Sequence, residues 1–248
     1  MTEGTPTGVV PITTDDAEAP RRPGPPGRPW SGGGREELAA AVRRLVELTV
    51  TSTPARGALQ AAAVRVDAVC DELSAAVPDD GPEPVGRHVE VPGGSDGTPD
   101  LVASMPFDMV IGTCNPVAPP IDIWLDPPGA SGRTVFTPQY EGAPGCVHGA
   151  AIAAAFDIVL TAANVVAGAA GPTVELKIRY RRPTIIGIET TFESWVTEVS
   201  DRRTHSTGRL LQDGVVKVEA TGEFVNLSRE RINAMHRDRV DGPDGTVG

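Results

Sequence analysis

Between Val147 and Ala170 a single side chain, Asp157, carries a formal charge at neutral pH. The rest of that stretch is apolar or small, apart from His148, Thr161 and Asn164. A helix that is apolar all round is a buried helix, and its polar exception is the informative residue. Burying an unpaired carboxylate is expensive, so Asp157 needs a reason to be there. One reason is structural: it caps a neighbouring turn or pairs with an arginine. The other is chemical: desolvation raises its pKa, nearby N–H donors counter the rise, and a base usable near neutrality results.

The residues ahead of the helix favour chemistry. Glu141-Gly-Ala-Pro-Gly145 reads as a loop that breaks into Cys146-Val147-His148-Gly149. A helix N-terminus presents unpaired N–H groups and the positive end of the helix dipole. Gly149 has no side chain to block approach, so a substrate carbonyl can sit on its N–H, as an oxyanion hole requires.

Spacing adds a constraint. Gly149 and Asp157 are eight residues apart, which along a helix is about 12 Å, against the ~3 Å of a proton-transfer contact. One chain cannot easily bring both to one reacting group, whereas two antiparallel helices from different protomers can. The sequence contains one such unit and no repeat of it, so the chemistry calls for a homodimer with two composite sites.

The elements around this helix can be read coarsely. Residues 1–34 are rich in Pro, Gly and Thr and read as a disordered tail. Residues 35–100 read as a helical extension and linker, with helices over Arg35–Val50 and Ala55–Val77. Leu38, Ala41, Leu45 and Leu48 recur at helical spacing, as do Leu59, Ala62, Val66, Val69 and Leu73. An accessory pair packed on the main domain is favoured over a lid or docking arm.

Strand patterns follow at Ile121–Leu125 and Thr134–Tyr140. The apolar helix comes next, over His148–Ala167, and then strands at Val174–Arg181, Thr190–Val199, Thr204–Leu211 and Val215–Asn226. Gln212-Asp213-Gly214 is a hairpin turn signal, and Asp201-Arg202-Arg203 makes the previous reversal. The last four strands predict an antiparallel meander with the apolar helix against its concave face. The main domain thus spans 101–228, with a polar C-terminal tail over 229–248.

Composition excludes several classes. A formal charge of −11 argues against a nucleic-acid partner, although Arg179, Arg181 and Arg182 suit a small anion. No secretory signal is evident, and Asp157 interrupts the best candidate for a membrane span. Cys70, Cys114 and Cys146 are an odd, scattered set, which predicts a reduced cytoplasmic protein. Asn226-Leu227-Ser228 is then a chance match to a glycosylation site. His205 and His236 lack a second ligand at metal spacing, so no metal is expected. Neither a phosphate-binding glycine loop nor a nucleophile-elbow serine is present.

The stretch Tyr140-Glu-Gly-Ala-Pro-Gly-Cys-Val-His-Gly149, with Ala155-Phe156-Asp157 after it, resembles the His-Gly-Gly…Asp segment of hotdog-fold acyl-CoA thioesterases. It is most similar to the phenylacetate-pathway and human thioesterase-superfamily type. Gly171-Pro-Thr-Val-Glu-Leu-Lys-Ile-Arg-Tyr-Arg-Arg-Pro183 resembles the family's second hallmark, a strand ending in Tyr-Arg-x-Pro. The likeness covers residues 104–228.

That resemblance implies an α+β hotdog fold: an antiparallel sheet wrapped around one long apolar helix, here with an N-terminal helical extension. It implies that Gly149 polarises a thioester carbonyl and that Asp157 acts as general base or nucleophile. Thr173 matches a Ser/Thr that orients the attacking water or the carboxylate. Val147, Arg181, Arg182 and Thr184 fall where the substrate and its CoA portion are held. The substrate is then an acyl-CoA or acyl-carrier thioester, with coenzyme A part of the substrate and no separate cofactor. The assembly is a homodimer, or two dimers paired as a tetramer. Two positions depart from the pattern: the second motif glycine is Ala150, and Gly142 stands where some members carry a polar Asn.

His148 is a further catalytic candidate, weighed against a structural role at the helix start, which is preferred. A Cys146–His148 nucleophile pair is disfavoured, since residues two apart on a tight turn point different ways. Two other functions remain on the same fold. An enoyl-thioester hydratase or dehydratase wants a carboxylate–histidine pair that His148 is poorly placed to complete, and a non-catalytic acyl-CoA-binding module has no need of Asp157.

Overall fold

The computed structural model describes residues 33–79, 100–119 and 121–226. The expected N-terminal tail up to residue 32, the linker over 80–99 and the C-terminal tail lie outside the described residues. In chain order the helices α1 (Arg35–Thr51), α2 (Arg56–Ser74) and α3 (Leu101–Ser104) precede strands β1 (Asp122–Asp126) and β2 (Gly129–Val135). A single 3-10 turn at Pro138–Tyr140 leads to α4 (Gly149–Val166). Strands β3 (Thr173–Tyr180), β4 (Glu189–Val199), β5 (Arg203–Gln212) and β6 (Val215–Val225) complete the chain.

All six strands form one antiparallel sheet in the order β1-β2-β4-β5-β6-β3. This is the hotdog arrangement, with α4 held in the sheet's concave face. The expected four-strand meander is corrected on one point. Only β4, β5 and β6 run as a meander; β3 lies at the far edge beside β6, and β4 pairs with β2. The expected second strand is also displaced, because Thr137 and Pro138 carry the chain into the 3-10 turn and the ladder runs earlier, over Gly129–Val135.

The concave face is shaped by residue size. Its centre carries Ser194, Ser206, Gly208, Ala220 and Gly222, and Phe192, Leu210, Val218 and Phe224 are buried around them. The small residues let α4 sink into the sheet: a Cβ on Gly208 would stand 3.2 Å from Leu160, and one on Gly222 3.0 Å from it. Phe156 meets Phe192 edge-on with ring centroids 5.4 Å apart, a preferred aromatic geometry. Ser194 donates to the Val159 carbonyl at 2.8 Å, so one of the few polar groups under the helix is satisfied by it. By length and mean hydropathy (1.8) α4 passes as a membrane span despite Asp157, yet half of it is buried in the sheet, as a core helix is.

The helical extension departs from expectation in orientation. α1 buries Ala39, and Arg43 on the same side donates to the carbonyls of Ala118 at 2.9 Å and Asn115 at 3.0 Å. Glu36 accepts from Thr113 at 2.9 Å, and Arg35 lies over the Phe107 ring. The docked face is therefore short and polar, while the regular stripe of Leu38, Ala41, Leu45 and Leu48 points outward. α2 buries no residue at all.

Candidate active site

The loop before α4 is closed on itself. Gly142 donates to the Cys146 carbonyl at 2.9 Å and Cys146 to that of Ala143 at 2.8 Å, with Gly145 at φ +74° making the left-handed corner. A Cβ on Gly142 would fall 2.9 Å from the His148 Cα, so an Asn does not fit here without a shift. Entering the helix, Val147 donates to the Thr184 carbonyl at 2.8 Å and His148 to that of Tyr140 at 2.7 Å.

His148 is the N-cap of α4, with Nδ1 accepting from Ala150 N–H at 3.0 Å. Ala151 and Ile152 both donate to the His148 carbonyl. That leaves the Gly149 N–H as the first-turn donor with no acceptor among the described residues. The ring cannot cap through Nδ1 and also carry a proton there. No hydrogen bond joins Cys146 to His148 among the described residues, and the three cysteines are free thiols.

Tyr180, at the end of β3, sits over this amide. Its hydroxyl donates to the Gly149 carbonyl at 2.9 Å. A Cβ on Gly149 would stand 2.9 Å from that hydroxyl oxygen and 3.3 Å from Cζ, so Tyr180 and a glycine at 149 require each other. Partial burial pushes the Tyr180 phenol above its ordinary value, which keeps the hydroxyl a donor. The sequence gives no signal for this contact; Tyr180 stands out only as part of a strand-end motif.

Asp157 is half-buried rather than fully buried, lying on the open stripe of α4 with Ala153, Ala154 and Thr161. It forms no ion pair among the described residues, and Thr173 donates to its Oδ1 at 2.6 Å. A register shift makes this contact. Leu176, Ile178 and Tyr180 lie on the helix side of β3, and strict alternation would put Val174 there and Thr173 on the other face. The ladder slips between Thr173 and Glu175, so Thr173 pairs with Phe224 and turns back toward α4.

A cleft of about 290 Å³ opens between Val147, Gly149, Tyr180 and the turn Arg181–Thr184. A hollow of about 540 Å³ adjoins it on the Glu141–Ala143 side. Arg181 is paired with Glu219 at 2.7 Å, Arg182 is exposed, and Thr184 is buried with its hydroxyl unpartnered. Gln212 fixes this turn: it accepts from Ile185 N–H and donates to the Ile185 carbonyl, both at 2.8 Å. Sequence patterning had placed Gln212 in a hairpin turn; it is instead the fully buried last residue of β5. A further cleft near Arg43 and Arg133 lies on the far side of Tyr140, where Arg43 is already engaged by carbonyls.

The structure thus brings together two groups. Gly149, Val147, His148, Tyr180 and Thr184 surround the start of α4, and Asp157 joins Thr173 eight residues along it. Residues 144–227 match the profile of the thioesterase superfamily. That match spans 84 of the 248 residues, and over them the chain is similar to that superfamily. The crystal structure of a thioesterase superfamily protein is 27% identical, covering 78% of this chain and 96% of that one at a TM-score of 0.65. Zebra fish thioesterase superfamily member 2 is also similar (20% identity, 43% of this chain, 81% of that one, TM-score 0.41). So is a hypothetical thioesterase from Streptococcus pneumoniae crystallised with coenzyme A (16% identity, 44% and 90% coverage, TM-score 0.42). A search of curated proteins finds no match.

Proposed function

We propose that this protein hydrolyses acyl-CoA thioesters to the free acid and thiol, in composite sites shared by the two chains of a homodimer. The observation that carries the reading is the state of α4. It offers an unclaimed N–H at Gly149 and a carboxylate at Asp157, too far apart to meet within one chain. Antiparallel apposition of two such helices puts Gly149 of one chain beside Asp157 of the other. The half-exposed stripe of α4 and the open edge strand β3 are the surfaces such a dimer would cover.

In this mechanism the Gly149 N–H donates to the thioester oxygen as negative charge develops on it. Tyr180 and the His148 cap hold that amide in place. Asp157, with Oδ1 held by Thr173, presents its other oxygen to a water and takes its proton; the hydroxide adds to the carbonyl carbon. Collapse expels the CoA thiolate, which recovers the proton from Asp157. Direct attack by Asp157, through an anhydride that water then opens, uses the same geometry. The cleft beside Arg182 suits part of the CoA moiety, no other cofactor is needed, and three free thiols suit a cytoplasmic setting.

His148 caps the helix through Nδ1 and makes no hydrogen bond to Asp157 among the described residues, so the carboxylate–histidine pair a hydratase wants is not formed within the chain. Release of free thiol from a panel of acyl-CoAs tests the proposal. Turnover by the wild type that collapses in Asp157→Asn supports it; no thiol from any acyl-CoA moves the reading to a binding module.

A further inference from the structure

We infer that two copies of this chain pair through their α2 helices, antiparallel, as a coiled-coil seam separate from the α4 surfaces. In the single chain α2 is a 19-residue helix with no buried residue. Helices of this size draw most of their stability from packing an apolar face. α1 does not pack lengthwise against it. The face exists: Leu59, Val66, Val69 and Leu73 form one stripe, yet are 48%, 37%, 45% and 49% exposed.

The spacing says what covers this stripe. Leu59, Ala62, Val66, Val69 and Leu73 advance in alternating steps of three and four, the 3.5-residue repeat of a helix seated on another helix. The residue sizes then identify that helix as a second α2. In an antiparallel pair with Val66 against the partner's Val69, each Leu73 falls opposite an Ala62, and each Leu59 opposite an Ala76 just past the helix end. Every layer has one large and one small member or two of middle size, as close packing requires. A parallel pair would stack leucine on leucine and alanine on alanine, leaving voids.

Charge agrees with size. Arg65 and Glu72 flank the stripe on the same side, seven residues apart. Antiparallel pairing brings Arg65 of each chain to Glu72 of the other, twice by symmetry. Parallel pairing offers neither a charged neighbour.

The same register places Ala63 next to the partner's Cys70, and both positions are exposed. Within one helix these two are about 10 Å apart along the axis, too far for a disulfide. The test is therefore Ala63→Cys in the full chain with Cys114→Ser and Cys146→Ser, mildly oxidised at low concentration. The proposal expects a covalent species of twice the chain mass on a non-reducing gel. That species disappears when Cys70→Ser is added and when Leu59→Asp and Leu73→Asp break the seam. No covalent pair, or equal pairing through Cys70 alone without Ala63→Cys, overturns the antiparallel seam. Since the readout is a bond between α2 helices, it stands apart from any thioesterase result.

Discussion

The Tyr180 hydroxyl stands 2.9 Å from the carbonyl oxygen of Gly149 and the same distance from where a Cβ at that position would lie. The contact ties the end of β3 to the first turn of α4. Gly149→Ala is expected to lower kcat/KM roughly tenfold or more by pushing the amide off the substrate oxygen. Adding Tyr180→Phe removes the colliding hydroxyl and leaves the ring carbon at 3.3 Å, so the double variant should recover part of that loss. A double variant worse than either single one would contradict this account of position 149.

Tyr180 also makes a pH prediction. Its phenol is raised above the ordinary value by burial. The neutral form is the one that donates to Gly149, so the clamp is complete below about pH 10 and is lost only as pH rises through the raised value. The pH–rate profile of the wild type should therefore show no alkaline limb from Tyr180 in the neutral range, and Tyr180→Phe should leave the shape of that range unchanged. A limb near pH 8 that vanishes in Tyr180→Phe would refute it.

Thr173→Val removes the hydroxyl that holds Asp157 Oδ1. A hydrogen bond to a charged group is worth about 1.5–3 kcal/mol, so kcat should fall roughly ten- to a hundredfold, with KM little changed. Thr173→Ser should keep most of the activity. Equal activity in all three proteins would remove Thr173 from the mechanism.

Gln212→Leu removes the buried amide that pairs with the part-buried N–H and C=O of Ile185. Each lost part-buried bond costs about 0.5–1.5 kcal/mol, so the urea midpoint should fall. An unchanged midpoint would mean that the Thr184–Ile185 turn does not depend on Gln212.

How far the sequence reveals this arrangement depends on the range of the interaction. α4, Gly149 and Asp157 are legible because helical periodicity and a lone charge are local signals. The hairpin at Asp213–Gly214 is legible for the same reason: both residues take positive φ, 51° and 71°. Three features are not legible in local patterning, although the family resemblance already names Thr173. Strand alternation places Thr173 on the wrong face, and only the register shift against β6 corrects it. The apolar stripe of α1 looks like its docking face, yet the helix buries Ala39 and bonds through Arg43 and Glu36, whose partners lie 72 and 77 residues away. Gln212 looks like a turn residue because its partner, Ile185, belongs to a different connection. In each case the deciding contact is nonlocal, and no local pattern encodes it.

Subunit complementation tests the central claim most directly. Asp157→Asn and Gly149→Val should each be nearly inactive in thiol release from acyl-CoA. Mixed under conditions that exchange subunits, they form heterodimers in which one of two sites holds both an intact Gly149 and an intact Asp157. The mixture should regain up to about a quarter of wild-type activity by statistical assortment of a two-fold dimer. If the exchanged mixture stays as inactive as its parents, Gly149 and Asp157 do not form one site across two chains.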